Sequence, residues 1–408
     1  MLLWLASLLL APTLVTPQEY KLRRANLRGA LPDSAVILFA APDTSRDPRS
    51  AMLPDPNFYY LTGWSQPGAV LLLTSDAEIL FLPPHDEQVE VAEGRRVAAD
   101  DPDAGRLTGF GEVRSTDVWE AELRRLAASV SRVYALKQDP RFEAVRRTLP
   151  GLEIADAAHS LARLRMVKSD TEVALIQHSI AVSIEAHRAA ARRIRPGVAE
   201  YQIAAAFTGS LLDQGCERPA YRTVVGSGPN GVVLHYSTLR RRMDRGETVV
   251  IDAGAECAGY AADITRTYPV EGRFTPRQRE LYNLVLGAQK AAIAAVKPGE
   301  SLGPKGAPTK AAKQYLDAHG KPVDGKPLSH YFVHGIGHHV GLEVHDAFVP
   351  TEPLAAGNVI TIEPGIYLPG EQIGIRIEDM VLVTESGAKV LTADLPRDLA
   401  QMEKAVAR

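Results

Sequence analysis

Cysteine is nearly absent: the 408 residues contain two, Cys216 and Cys257. Two sulfurs cannot build the multi-bridge framework that holds small secreted scaffolds together, so apolar cores must stabilise this chain and both cysteines are expected to be plain packing thiols. An excess of one charge is also missing, since 46 Lys and Arg stand against 49 Asp and Glu for a formal net charge of -3. Nucleic-acid partners call for a basic face, and none is expected here. Past the N-terminus no apolar run reaches the roughly 20 residues that a membrane-spanning helix needs, so no integral membrane span is expected. Gly226-Ser-Gly228 lacks the Lys-Ser/Thr pair of a phosphate-binding loop and reads as a tight turn.

What is present is an ordinary globular chain, 45% apolar. Its length exceeds what one hydrophobic core serves, which predicts two domains, 18–163 and 164–408, in an α+β chain. Residues 2–15 are apolar but too short to span a bilayer. They read as a possible secretory signal peptide over 1–17, although no Lys or Arg precedes the run and no small-x-small cleavage site is evident. Export to the periplasm or exterior is the expectation that follows. A misassigned start codon or a docked segment in a cytoplasmic protein are the alternatives.

Along the chain, 35–40 reads as a buried strand, and 69–73 with 79–82 as a hairpin around Ser75-Asp76. Helical spacing marks 118–128, a strand follows over 132–136, and 155–166 is helical again. Ser169 with Glu172 three residues on is a capping box that opens a helix stopped by Arg195-Pro-Gly197; a second helix carries Ile203, Phe207 and Leu211 up to Gly215. Residues 249–253 and 259–268 are expected to pair around a turn at Glu256-Cys257. Alternation then sends Asp252 and Asp263 into one space. Thr275 with Gln278 caps another helix, a short one follows over 311–319, and 359–363 and 373–383 read as strands. The order of two helices followed by strands thus occurs twice, which hints at an internal duplication. The first half shows no cluster of metal-ligand residues, so its expected work is to cover or shape a site made elsewhere.

Asp252, Asp263, Glu363 and Glu378 each lie on or beside an apolar strand. Burying one unpaired carboxylate costs several kcal/mol, and four converging would repel one another without a cation between them. His334, His338 and His345 lie within twelve residues of one another, whereas His339 faces away and is expected not to be a ligand. Carboxylates with a single imidazole favour harder divalent ions, manganese or cobalt, over an all-nitrogen or thiolate zinc site. Arg376, two residues before Glu378 in one predicted strand, is expected to hold that carboxylate.

These residues stand in motifs: Val-Gly-Ser-Gly-Pro-Asn-Gly-Val-Val-Leu-His235-Tyr, Ile-Asp252-Ala-Gly-Ala, Asp263-Ile-Thr-Arg-Thr-Tyr-Pro, His334-Gly-Ile-Gly-His338, Glu363-Pro-Gly-Ile-Tyr and Arg376-Ile-Glu378-Asp. So disposed, the chain resembles the pita-bread metallopeptidases, and most closely the aminopeptidase P family. Phe-Ala-Ala-Pro and Asn57-Phe-Tyr-Tyr-Leu-Thr-Gly-Trp-Ser-Gln-Pro-Gly resemble that family's first domain. The resemblance implies a C-terminal pita-bread domain behind a smaller mixed α/β domain. It further implies two divalent ions, manganese first with cobalt or zinc as alternatives, on Asp252, Asp263, His338, Glu363 and Glu378, with Asp263 and Glu378 bridging. His235, His334 and His345 would line the substrate site, and the protein would form dimers or tetramers. Two departures are a short loop between Glu363 and Glu378 and the apolar leader.

The reaction expected of such a site is release of the N-terminal residue from peptides with proline second, by a metal-bridging hydroxide. Glu363 would shuttle the proton, and His345 with His235 would bind the developing oxyanion. A prolidase confined to Xaa-Pro dipeptides is the nearest alternative. A non-catalytic pita-bread binding module, or a metal-free amidase on this fold, is opposed by the presence of all five ligands.

Overall fold

The structure is a computed structural model that describes residues 15–43 and 53–407; of the apolar leader, 2–15, all but Val15 lies outside them. The chain divides into two compact units, Val15–Arg165 with Ala347–Val349, and Met166–Asp346 with Pro350–Arg408. Among the described residues no helix is long and apolar enough to cross a membrane.

The N-terminal unit runs α1 (Pro17–Ala30), β1 (Ser34–Phe39), α2 (Pro56–Thr62), β2 (Val70–Leu73), β3 (Glu78–Leu82), α3 (Glu87–Glu93), α4 (Ala104–Thr108), β4 (Glu112–Ser115), α5 (Trp119–Ala127), β5 (Arg132–Ala135), α6 (Phe142–Thr148), β6 (Ile154–Asp156) and α7 (Ala158–Met166). Its six strands form one sheet in the order β4-β3-β2-β1-β5-β6. The expected hairpin is β2 against β3, antiparallel with Leu72 opposite Ile79. Phe58-Tyr-Tyr-Leu, apolar enough for a strand, is helical in α2. Asp55 accepts from the Phe58 amide, Pro56 takes the first turn, and Gly63 ends it at φ 66°. Ile37, Leu72, Phe81, Leu123 and Val133 form the core.

In the second unit come α8 (Asp170–Ala191), α9 (Glu200–Asp213), β7 (Arg218–Pro219), β8 (Val224–Ser227), β9 (Thr248–Asp252), β10 (Ala255–Cys257), β11 (Tyr260–Ala261) and β12 (Thr265–Pro269). They are followed by α10 (Pro276–Ala294), α11 (Ala307–His319), β13 (Val359–Ile362), β14 (Gly365–Leu368), β15 (Ile373–Arg376), β16 (Asp379–Thr384), β17 (Gly387–Val390) and α12 (Leu399–Val406). Both capping boxes form, Ser169 with Glu172 on α8 and Thr275 with Gln278 on α10. Helix pairs α8–α9 and α10–α11 pack together, and sheets β12-β9-β8 and β13-β16-β17 follow them, so the expected repetition of element order is present. One continuous core unites these layers, with Phe207, Ile251, Leu281 and Ile362 fully buried. Each such side chain contributes about 1.5–3 kcal/mol, which offsets the cost of the carboxylates buried beside them.

Five expectations need correction. Cys216 and Cys257 are not thiols but a disulfide across 41 residues; their distance in sequence concealed that β7 and β10 pair and bring them together. The predicted strand 373–383 is two strands in different sheets, because β15 pairs with β14 and β16 with β13, with Ile377 and Glu378 crossing between them. The turn between β9 and β12 is a small hairpin of its own, β10–β11, that reverses at Ala258-Gly259. The helix expected over 155–166 begins only at Ala158, because residues 155–156 belong to β6, and α11 starts earlier than expected because Pro308 is accommodated in its first turn.

Candidate active site

Antiparallel pairing of β9 and β12 puts Thr265 opposite Asp252 at the end of the ladder. The chain continues past that point to Asp263, and the two aspartates converge as the alternation predicts. Between them lies a phenol that sequence reasoning missed: the Tyr221 hydroxyl is 2.6 Å from Asp252 Oδ1 and 2.5 Å from Asp263 Oδ1. One hydroxyl proton serves one carboxylate at a time, so the second contact demands another proton or a cation. The crossing between β15 and β16 delivers Glu378, whose amide donates to Thr265 O (3.1 Å) while Thr265 Oγ1 donates to Glu378 Oε2 (2.7 Å).

Glu363 leaves the end of β13, and the histidine segment is laced to that strand. The Glu363 amide donates to Ile336 O, the Thr361 amide to His338 O, and the His338 amide to Thr361 Oγ1 at 3.0 Å. This close approach requires Gly337, because a Cβ there would lie 1.9 Å from Thr361 O. His338 Nδ1 is 3.0 Å from His339 O and therefore carries its proton there. That leaves Nε2 facing Asp263 Oδ2 at 3.3 Å and Glu363 Oε1 at 3.7 Å.

Burial and mutual repulsion dominate the electrostatics. Burial, then the neighbouring Asp263, Glu363 and Asp252, hold the Glu378 carboxyl well above its usual range. Burial pushes Glu363 up to about 7, and raises Asp252 despite Arg376 beside it. His338 is pulled down by burial, but its contact with Asp263 and the charge of Glu363 win and lift it to about 9. Each shift reports the same fact, a surplus of negative charge out of water. Donor atoms of Asp263, His338 and Glu378 lie within 4.8 Å of one another, with Asp252 and Glu363 on the same cavity. Hard oxygen donors with one free imidazole nitrogen fit a divalent ion.

The cavity, of about 520 Å³, is lined by all the singled-out residues: Asp252, Asp263, His338, Glu363 and Glu378 with His235, His334, His345 and Arg376. His339 does not line it; it is buried, and burial with the nearby Lys168 charge lowers it to about 4. His345 is exposed with its ring 4.0 Å from that of His338, and burial of its inner face lowers its pKa. His334 Nδ1 faces Gly335 O and Nε2 faces the Tyr367 hydroxyl, each at 2.9 Å, and burial keeps the ring neutral down to about 4. Arg376 does not hold Glu378, because the break after β15 turns the two apart. Its Nη2 instead donates to Asp252 Oδ2 (2.6 Å), Nη1 to the Tyr367 hydroxyl (2.8 Å) and Nε to Thr265 Oγ1 (3.2 Å). Thr265 and Tyr367 were legible only as members of the motifs, and Tyr221 carried no signal at all.

The profile described as metallopeptidase family M24 matches residues 174–385, and that of the aminopeptidase P N-terminal domain matches 20–134. The chain belongs to metallopeptidase family M24 and is a metal-dependent hydrolase of the pita-bread fold. Its full-length relatives are of the aminopeptidase P kind. The Xaa-Pro aminopeptidase of Haemophilus influenzae is 34% identical, with 95% of this chain and 96% of the relative covered. The structure of a putative aminopeptidase P from Bacillus anthracis superposes with a TM-score of 0.88 at 31% identity, covering 96% of this chain and 98% of that one. An Xaa-Pro dipeptidase of Pyrococcus furiosus is 39% identical, but over 56% of this chain and 64% of its own length.

Proposed function

We propose that this protein is an aminopeptidase that releases the N-terminal residue from peptides with proline in second position. The observation that carries the reading is a carboxylate-rich cavity in a chain that matches Xaa-Pro aminopeptidases from end to end, first domain included. The partial match to a dipeptidase supports the prolidase alternative less.

Asp252, Asp263, His338, Glu363 and Glu378 would hold two divalent ions, manganese first. Bound there, the ions would make water acidic enough to ionise near neutral pH and polarise the scissile carbonyl. Glu363 takes the proton from water and passes it to the departing proline nitrogen. That nitrogen belongs to a tertiary amide and leaves only when protonated. His345 and His235 donate hydrogen bonds to the oxygen that gains charge. His334, neutral and oriented by Gly335 O and Tyr367, steadies the bound peptide. Arg376 acts through others, fixing Asp252 and Tyr367. The substrate's free amino group sits against the carboxylates, so one residue leaves per cycle.

Hydrolysis of an Arg-Pro-Pro peptide compared with a Gly-Pro dipeptide tests the substrate class; turnover of dipeptides alone refutes it. Metal analysis of protein purified without chelator reads the native ion, and light scattering should return a dimer or tetramer. Export with removal of the leader is expected to show as a mature N-terminus near residue 18 by intact mass.

A further inference from the structure

Away from the cavity, the described residues contain one other group with metal-ligand chemistry: His178 on α8, Cys216 beyond the end of α9, and Cys257 closing β10. A ring nitrogen of His178 and both sulfurs lie within 4.8 Å of one another. The sulfurs are joined as a disulfide, and each cysteine is 3% exposed, while His178 is half-buried. Among the described residues the His178 ring forms no hydrogen bond or ion pair. A disulfide is a poor partner for it, since it offers no donor and only weak acceptors. Plain bridging of β10 to the end of α9 therefore accounts for the cysteines but not for an imidazole nitrogen beside them.

We propose that reduction of Cys216–Cys257 opens a site for one soft divalent ion, zinc being the natural occupant, held by two thiolates and the His178 imidazole. Two sulfurs and a nitrogen are the donor set that selects zinc, in contrast to the oxygen-rich cavity, which selects harder ions. Three protein ligands leave the fourth tetrahedral position to water, which reaches it past the half-exposed His178 and the half-exposed Ala258-Gly259 turn. In a tetrahedral site with Zn–S bonds of about 2.3 Å the sulfurs stand about 3.8 Å apart. The cysteine Cα atoms are now 4.5 Å apart, near the lower end of what a disulfide spans, so the pair must part by a further ångström or two. Both residues can yield, since Cys257 borders the tight reversal at Ala258 and Gly259 and Cys216 follows a helix end.

The chemistry balances. A dithiol reductant gives two electrons and two protons, the S–S bond breaks to two thiols, and the reductant closes into its own disulfide. Ion binding then releases both thiol protons to water.

Cobalt(II) tests the proposal, because thiolate ligation produces an intense near-ultraviolet charge-transfer band that carboxylate and imidazole ligands do not. Full-length protein is titrated anaerobically with cobalt before and after reduction by dithiothreitol and desalting. The oxidised protein should show no thiolate band; the reduced protein should gain one that saturates at one equivalent beyond the cobalt the oxidised protein takes up, and that is displaced by zinc. Cys257→Ser should abolish the band. His178→Ala leaves the disulfide and the oxidised fold intact, read by its melting temperature, and should weaken cobalt binding in the reduced state at least tenfold. Absence of the band after reduction overturns the proposal, and so does undiminished affinity in His178→Ala, which also decides the matter if Cys257→Ser fails to fold.

Discussion

The surplus of buried negative charge in the cavity should make the metal-free protein lose stability as pH rises. Glu363 has its folded pKa raised to about 7 from an unfolded value near 4.3, and His338 is raised to about 9 from near 6.5. For both groups the native state binds the extra proton, so the stabilisation is complete below the unfolded pKa and disappears as pH climbs through the folded one. Between pH 6 and pH 8 the linkage relation gives a loss on the order of 3 kcal/mol for the pair, which titrates as a unit through its contact. Glu378 and Asp252, both raised, act in the same direction. For a unit of this size about 3 kcal/mol lowers the melting temperature by roughly 5–10 °C. The assay is calorimetry of protein stripped by chelator, at pH 6 and pH 8, with Glu363→Gln as the control that flattens part of the slope. Saturating divalent ion should reverse the trend, because ligation competes with protons and strengthens as the carboxylates ionise. A metal-free melting temperature that is constant or higher at pH 8 refutes the reasoning.

Asp263→Ala should remove at least one ion and nearly all turnover, read by metal analysis beside peptide hydrolysis; activity retained with unchanged metal content sinks the two-ion centre. Tyr221→Phe removes the one hydroxyl that lies between Asp252 and Asp263, and should weaken divalent-ion affinity by about 10- to 100-fold in a competition titration. Glu200 is fully buried and accepts from the amide and hydroxyl of Ser227, from Asn230 Nδ2 and from the Arg241 amide, at 2.8–3.0 Å. Glu200→Ala strands these donors and should cost about 3–5 kcal/mol by denaturant melts. It should also lower kcat/KM, because the freed turn at Gly228–Val232 leads to His235; unchanged kcat/KM in folded protein would leave the turn with no positioning role.

Residue chemistry alone announced most of this site. Carboxylates in apolar strands are so expensive that four of them imply a cation before any coordinates exist, and alternation aims Asp252 and Asp263 the same way because the strand period is two. Caps at Ser169 and Thr275 were legible for the same reason, since the interaction spans three residues. What only the tertiary structure decided depends on sheets meeting at a distance in sequence. The break after Arg376 sends that arginine to Asp252 rather than to Glu378, Tyr221 arrives from another segment to touch two acids, and β7 against β10 turns two presumed thiols into a disulfide. Local pattern does not say which strands become neighbours, and at this site those neighbours set most of the hydrogen bonds that hold the acids in place.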